Sequence, residues 1–294
     1  MAKACMLALT YNAKSDLDDF FSSIRRLRED GIGAEILELA VIDNNSTDGT
    51  YEELQKIQNE LQFKLVRCKE NLGYCGGNNV LLNDKEYIKN FEYIFITNVD
   101  VSFEPSLVKE LLKLLDSDTT IGLACALELS YSTGAVRSCG SFWDYKKGVH
   151  GPILDVAKDV RDVDWCSGVF ICLRREVVEK IGGLDEKIWM YCDDMDLGVR
   201  VKNAGYRVVV NPKATIRHKE KGRVSYFEVF YSTRNKLYVT KKHYPKYLFK
   251  AHLKHIRDIL GNAIVRRDLK YGKHVMKGTF AYLRNQMGRV NWKD

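Results

Sequence analysis

The sequence predicts an α/β fold with a mostly parallel central sheet flanked by helices. Short apolar runs alternate with segments that carry apolar residues at helical spacing. Strands alternating with helices in this way form right-handed βαβ units and a parallel sheet. Four of the apolar runs stop at polar clusters: Thr10-Tyr11-Asn12, Asp43-Asn44-Asn45-Ser46, Asn71-Leu72-Gly73 and Asn98-Val99-Asp100. Ligands of open α/β sheets bind outside the carboxyl ends of the strands, so the four clusters predict one shared site.

Ala4 to Leu9 is a continuous apolar run, as a strand buried on both faces requires. From Ser15 onward Leu17, Phe20, Phe21, Ile24 and Leu27 recur at helical spacing. Glu38 to Ile42 reads as the second strand, and Leu54, Ile57 and Leu61 mark the helix after it. Phe63 to Arg67 and Tyr93 to Thr97 read as the third and fourth strands. Residues 120–190 are less regular. Within them Val169 to Leu173 is apolar, and Arg175 to Ile181 reads as a helix stopped by Gly182-Gly183. A helix is expected from Asp193 to Asn203, a strand from Tyr206 to Val210, and helices beyond Tyr226.

A chain of 294 residues with 45% hydrophobic and 29% charged residues has the composition of a folded globular protein, which excludes a mostly disordered chain. No apolar run approaches the roughly 20 residues of a membrane-spanning helix. The N-terminal MAKACMLALTYN has neither a long apolar stretch nor a small-residue cleavage site, so a cytoplasmic protein is expected. The eight cysteines include no CxxC pair, which removes the zinc-knuckle reading and leaves reduced thiols as the expectation.

Four clusters carry chemistry. Asp100 ends Asn98-Val99-Asp100 at the mouth of a buried strand, where a carboxylate either holds a divalent cation or serves a turn. Asp193-Asp194-Met195-Asp196 crowds three carboxylates, which either serve a helix N-terminus or raise one pKa toward that of a general base. His218 is a structural histidine or a metal ligand. The Gly73-Tyr74-Cys75-Gly76-Gly77 run permits close backbone approach but is not the dinucleotide fingerprint, and no Walker A loop occurs.

These clusters, together with Trp165-Cys166-Ser167-Gly168, stand in an order that resembles the family 2 inverting glycosyltransferases, over about residues 4–240. The branch they resemble is that of bacterial rhamnosyltransferase-like and galactofuranosyltransferase-like enzymes. The resemblance implies the GT-A fold, with a catalytic part over 1–225 (nucleotide-sugar half 1–118, acceptor half 119–225) and a helical basic segment over 226–294. It implies transfer of a sugar from a thymidine or uridine diphosphate donor, such as dTDP-rhamnose, to a hydroxyl of a glycan or polyprenyl-linked acceptor. By position, Thr10, Tyr11, Asn12, Asp43, Asn45, Asn71, Gly73, Gly76, Asn78 and Asn98 would bind the nucleotide. Asp100 and His218 would hold Mg2+ or Mn2+, Asp194 would be the base, and Trp165 and Asp193 would meet the acceptor. Asn98 stands where the family's DxD element has its first Asp, so one charge is missing there. Two other readings are a sugar-1-phosphate nucleotidyltransferase, which should carry a basic glycine-rich loop where Thr10-Tyr11-Asn12 stands, and an inactive glycan-binding relative.

The net charge of +7 is unevenly spread. Residues 1–212 hold 25 Lys and Arg against 34 Asp and Glu, whereas residues 213–294 hold 21 against 5. Such a basic block suits a polyanion. The acidic remainder and the missing recognition motif count against nucleic acid. The expected role is contact with an anionic membrane surface on the inner face of the cell membrane; the alternative is a solvated basic face on helices that pack on the catalytic part or form a homodimer.

Overall fold

The computed structural model of the chain describes residues 4–219, 222, 225–264 and 268–290. Parts of the basic segment assigned from the sequence, residues 265–267 and 291–294, lie outside the described residues. The order is β1 (Ala4–Thr10), α1 (Leu17–Glu29), β2 (Leu37–Asp43), α2 (Thr50–Leu61), β3 (Lys64–Arg67), α3 (Gly73–Leu82), α4 (Lys85–Ile88), β4 (Tyr93–Asn98), β5 (Val101–Phe103) and α5 (Ser106–Ser117). Then come β6 (Ile121–Ser130), β7 (Val136–Ser138), β8 (Ser141–Asp144), β9 (Val149–Pro152), β10 (Arg161–Asp162), β11 (Phe170–Arg174), α6 (Arg175–Ile181), α7 (Asp193–Asn203) and β12 (Arg207–His218). Three helices close the chain: α8 (Tyr226–His243), α9 (Leu248–Ile264) and α10 (Leu269–Leu283).

The main sheet runs β10-β12-β6-β11-β4-β1-β2-β3. Its β3-β2-β1-β4 half is parallel, as the alternating pattern requires. β11 enters antiparallel between β4 and β6, and β6 and β12 are again parallel. Alternate residues of β1 face opposite cores. Ala4, Met6 and Ala8 pack with α1 and α5, and Cys5, Leu7 and Leu9 pack with α3 and α7.

Two strands exceed their sequence expectation. The stretch read as irregular contains β6, ten residues long and almost entirely buried. β12 does not stop before Asn211-Pro212 but continues to His218, with a register shift between Asn211 and Thr215. The proline is accommodated at that bulge, where no ladder hydrogen bond is required of it. Past the bulge the register puts Ile216 opposite Glu128 on β6 and His218 opposite Val101 on β5. Three residues distant in sequence, Asp100, Glu128 and His218, are thereby brought together.

Candidate active site

Two cavities open at the carboxyl ends of the central strands. One, of about 240 Å3, is lined by Thr10, Tyr11, Asn12, Asn71, Gly73 and Asp100, among others. The second, of about 560 Å3, is lined by Glu128, Trp165, Gly168, Asp193, Asp194 and His218, among others. Tyr74, Asn98 and Met190 line both, so the two adjoin. Buried polar atoms without a hydrogen-bond partner occur on each wall: Thr10 Oγ1 in the smaller cavity and Trp165 Nε1 in the larger. Such atoms cost free energy until a ligand or water meets them.

Asp43, Asn45, Gly76 and Asn78 are not among the residues lining these two cavities. The buried Asp43 carboxylate accepts the Ser46 N–H at 3.2 Å and lies 3.6 Å from Arg67 Nε. Asn45 takes a left-handed turn conformation. Asn78 is buried in α3 and donates to the Tyr74 carbonyl at 3.0 Å, and Gly76 lines a separate groove beside Trp189. Asn44, which the sequence reading placed in the second polar cluster without a role, ties the loop together. Its Oδ1 accepts from Leu72 N–H at 2.9 Å and its Nδ2 donates to the Gly73 carbonyl at 3.0 Å. Gly73 has φ +73°, and a Cβ there would lie 2.5 Å from Trp189, so glycine is required.

His218 joins the two acidic groups around it. Its Nδ1 is 2.7 Å from Glu128 Oε1, and its Nε2 stands 3.5 Å from Asp100 Oδ1, too far for a good hydrogen bond. Burial disfavours the imidazolium, but Asp100 and Glu128 outweigh it and hold the pKa up at about 9. Nε2 is buried without a hydrogen-bond partner. One carboxylate and one imidazole facing each other fit a divalent cation of the Mn2+ type, with its remaining positions left to water and ligand oxygens. Among the described residues no group of three or more His, Cys, Asp and Glu forms a complete cation cage.

The larger cavity is also walled by Asp193 and Asp194, which begin α7. Burial pushes the Asp193 carboxyl up to about 7. Burial and then the Asp193 charge hold Asp194 well above the usual carboxylate range. Asp193 is buried, whereas Asp194 is half-buried in the cavity wall and accepts the Met195 N–H at 2.8 Å. The third carboxylate differs. Asp196 is fully buried and accepts from Arg200, Lys242 and His243 at 2.7–2.8 Å. Burial works against its charge, but these partners take its pKa down to about 2. Asp196 therefore fastens α7 to α8.

The profile of the family described as "Glycosyltransferase like family 2" matches residues 18–239. The chain belongs to glycosyltransferase family 2. It is 25% identical over 238 residues to an N-acetylglucosaminyl-diphospho-decaprenol L-rhamnosyltransferase of Mycobacterium tuberculosis, across 72% of this chain and 75% of that protein. It is 26% identical over 184 residues to a dolichol-phosphate mannosyltransferase of Pyrococcus furiosus, across 61% and 48% of the two chains. The GT-A fold is shared with solved structures. GalNAc-T7 with UDP, GalNAc and Mn2+ superposes with a TM-score of 0.66 at 13% identity, over 99% of this chain but only 56% of that one. The mannosyltransferase PcManGT of Pyrobaculum calidifontis, in complex with GDP-Man and Mn2+, gives 0.61 at 15% identity, over 96% and 87%.

In this glycosyltransferase the loop leading into Asp193 is strained and braced. Trp189, Tyr191 and Cys192 all have φ of 64–66°, an unfavourable region for residues other than glycine. The brace comes from α8. The fully buried Arg234 donates to the Ile188, Gln286 and Gly288 carbonyls, and Asn235 Nδ2 donates to those of Ile188, Met190 and Tyr191. Burial lowers the Arg234 pKa to about 10. Neither residue stands in a motif, because their role depends on a loop some 45 positions earlier.

Proposed function

We propose that this glycosyltransferase moves a sugar, with inversion, from a thymidine or uridine diphosphate donor to a hydroxyl of a lipid-linked glycan acceptor. The supporting observation is that Asp194 and His218 line one cavity and Asp100, beside His218, lines the adjoining one, the two meeting at Tyr74, Asn98 and Met190. The smaller cavity takes the nucleotide, with Thr10, Tyr11, Asn12 and Asn71 around it, and the larger takes the acceptor beside Trp165. The lipid-linked acceptor and the deoxyhexose donor are read across from the mycobacterial relative's name. A divalent cation held by Asp100 and His218 would supply Lewis-acid stabilisation to the departing diphosphate.

Asp194 does the proton work. Its carboxylate accepts the acceptor hydroxyl's proton as that oxygen bonds to the anomeric carbon from the face opposite the diphosphate. The bond from the anomeric carbon to the diphosphate oxygen breaks in the same displacement, and the nucleoside diphosphate leaves with the electron pair. One displacement inverts the anomeric centre without a covalent sugar–enzyme intermediate. Asp193 adjusts the basicity of Asp194 from within the wall.

Thermal shift with nucleoside diphosphates, with and without Mn2+, tests the donor half of the reading. A stabilisation that needs both thymidine or uridine diphosphate and the cation supports it. Equal shifts with every nucleotide, or none with any, overturn it.

A further inference from the structure

The last two helices carry an apolar surface that the fold leaves uncovered. On α9, Phe249, Leu253, Ile256 and Leu260 follow one another at spacings of four, three and four residues. On α10, Leu269, Met276, Phe280 and Leu283 do the same with a lysine, Lys273, in the remaining position. At 100° per residue each set falls within an arc of about 60°. All eight apolar side chains are between 45% and 72% exposed, in a protein whose other large apolar side chains are mostly buried.

The packing of the pair explains why both stripes face outward together. Gly278 of α10 packs on Phe230 and Thr233 of α8, on the side opposite the α10 stripe. Gly272 of α10 meets Ile259 of α9, and each lies on the flank of its helix beside the stripe. The two stripes therefore run side by side. Lys250 and Arg257 of α9 lie about 70–90° from the centre of its stripe, on the flank away from Ile259, and Lys270 and Lys277 of α10, at about 90–110°, hold the equivalent place. The pair is thus an apolar strip edged on both sides by cations, within a segment that carries 21 Lys and Arg against 5 Asp and Glu.

We infer that α9 and α10 form an in-plane docking surface for an anionic phospholipid bilayer. An apolar strip sinks to the depth of the acyl boundary while flanking cations meet the headgroups. Lys273 decides between this occupant and a second copy of the chain. Lysine is depleted from the cores of protein–protein interfaces, whereas beside a bilayer its stem lies along the apolar surface and its ammonium reaches the headgroups. No helix among the described residues is long and apolar enough to cross a membrane, so attachment here is peripheral.

The surface is also tied to the larger cavity. Lys254 Nζ donates to the Gly148 carbonyl at 2.8 Å, and Lys250 Nζ to that of Lys146 at 3.4 Å. Both carbonyls belong to the hairpin of β8 and β9, whose Ser141 and Pro152 line that cavity. Phe142, Val149 and Leu154, on and just beyond this hairpin, are exposed as well. The inference deepens the lipid-linked acceptor reading by naming the face on which such an acceptor's membrane would lie, while its own grounds are apolar exposure and charge.

Flotation of the full chain with vesicles of phosphatidylcholine alone, and with about 30% phosphatidylglycerol added, tests it without any sugar transfer. The wild type is expected to float with the anionic vesicles and to remain behind with the neutral ones. F249S/F280S is expected to lose at least about tenfold in partitioning, and K270E/K273E to lose a similar amount. Circular dichroism and the melting temperature check that both variants are folded. A wild type that floats with neither vesicle, or equally with both, overturns the inference. So does sedimentation showing a wild-type dimer that F249S/F280S separates into monomers. Transfer to a water-soluble acceptor in vesicle-free buffer reads the proposed activity separately, so either reading can fail alone.

Discussion

The Tyr74 hydroxyl donates to the Gly168 carbonyl at 2.5 Å, across 94 positions of sequence. The bond pins the loop after Trp165 against the start of α3, at the seam of the two cavities. A Cβ at Gly168 would lie 2.8 Å from the phenol oxygen, so a larger residue there would have to displace Tyr74. Tyr74→Phe leaves that carbonyl short of a partner and is expected to cost about 1–2 kcal/mol of stability. Transfer should slow while donor KM stays near wild type. An unchanged kcat with a raised donor KM would show that the phenol binds the nucleotide instead.

Asp194→Asn removes the proton acceptor and keeps the shape. Transfer is expected to fall at least about 100-fold with nucleotide affinity retained, the usual scale of a general base. Near wild-type turnover would rule out the assignment.

The pH dependence follows from the same wall. Asp194 works when ionised and its pKa is held well above the usual carboxylate range, so transfer should still be rising with pH where an ordinary carboxylate is already ionised. Asp193→Asn removes the neighbouring charge that raises Asp194, so the acid limb of the rate profile should move to lower pH. A limb that stays in place separates the two groups.

Two carboxylates three positions apart are expected to oppose each other in stability. The folded pKa of Asp193 lies above its unfolded value of about 3.9, so the native state binds the extra proton and stability falls as pH rises from about 4 to 7. Asp193→Asn should gain roughly 1–3 kcal/mol at pH 8 and nothing at pH 4. The folded pKa of Asp196, at about 2, lies below the unfolded value. Its contribution is present above about pH 4 and is lost as pH falls through 2. Asp196→Asn should lose about 2–4 kcal/mol at pH 7, because Arg200 and Lys242 lose the buried carboxylate between them. Denaturant unfolding of the two variants at these pH values reads all three outcomes.

Glu128 orients His218 through the 2.7 Å contact to Nδ1. Glu128→Gln is expected to weaken activation by Mn2+ about 10–100-fold, the usual effect of removing a partner behind a metal ligand. A Mn2+ titration of transfer with an unchanged midpoint would remove Glu128 from the site.

The crevice was legible where strands are continuous apolar runs. β1 and β4 end in Thr10-Tyr11-Asn12 and Asn98-Val99-Asp100, and those residues stand in the cavity wall. Glu128 was not legible, because β6 lay in a stretch without a clear helix-and-strand rhythm, and because its value comes from pairing with β12 beyond a bulge at Pro212. Register between distant strands leaves no local mark. Asn45 and Asn78 show the opposite difficulty: polar residues near a strand end or in a glycine-rich helix start also satisfy the local backbone, as Asn78 does. Asp196 stood in the acidic cluster, but only the arrival of α8 shows that it is a fastening point.

The Arg234 brace makes assembly of this site a late event. Two of the carbonyls that hold the guanidinium belong to Gln286 and Gly288, beyond the last helix, while the one it holds in turn, Ile188, precedes Trp189 and the strained approach to Asp193. During synthesis the sheet, both cavities and every proposed reacting group leave the ribosome before that closing strap does. A chain halted at Asn285 would carry all of them and still lack two of the guanidinium's three carbonyl partners, so competence for transfer should arrive only once Gln286 and Gly288 are in place.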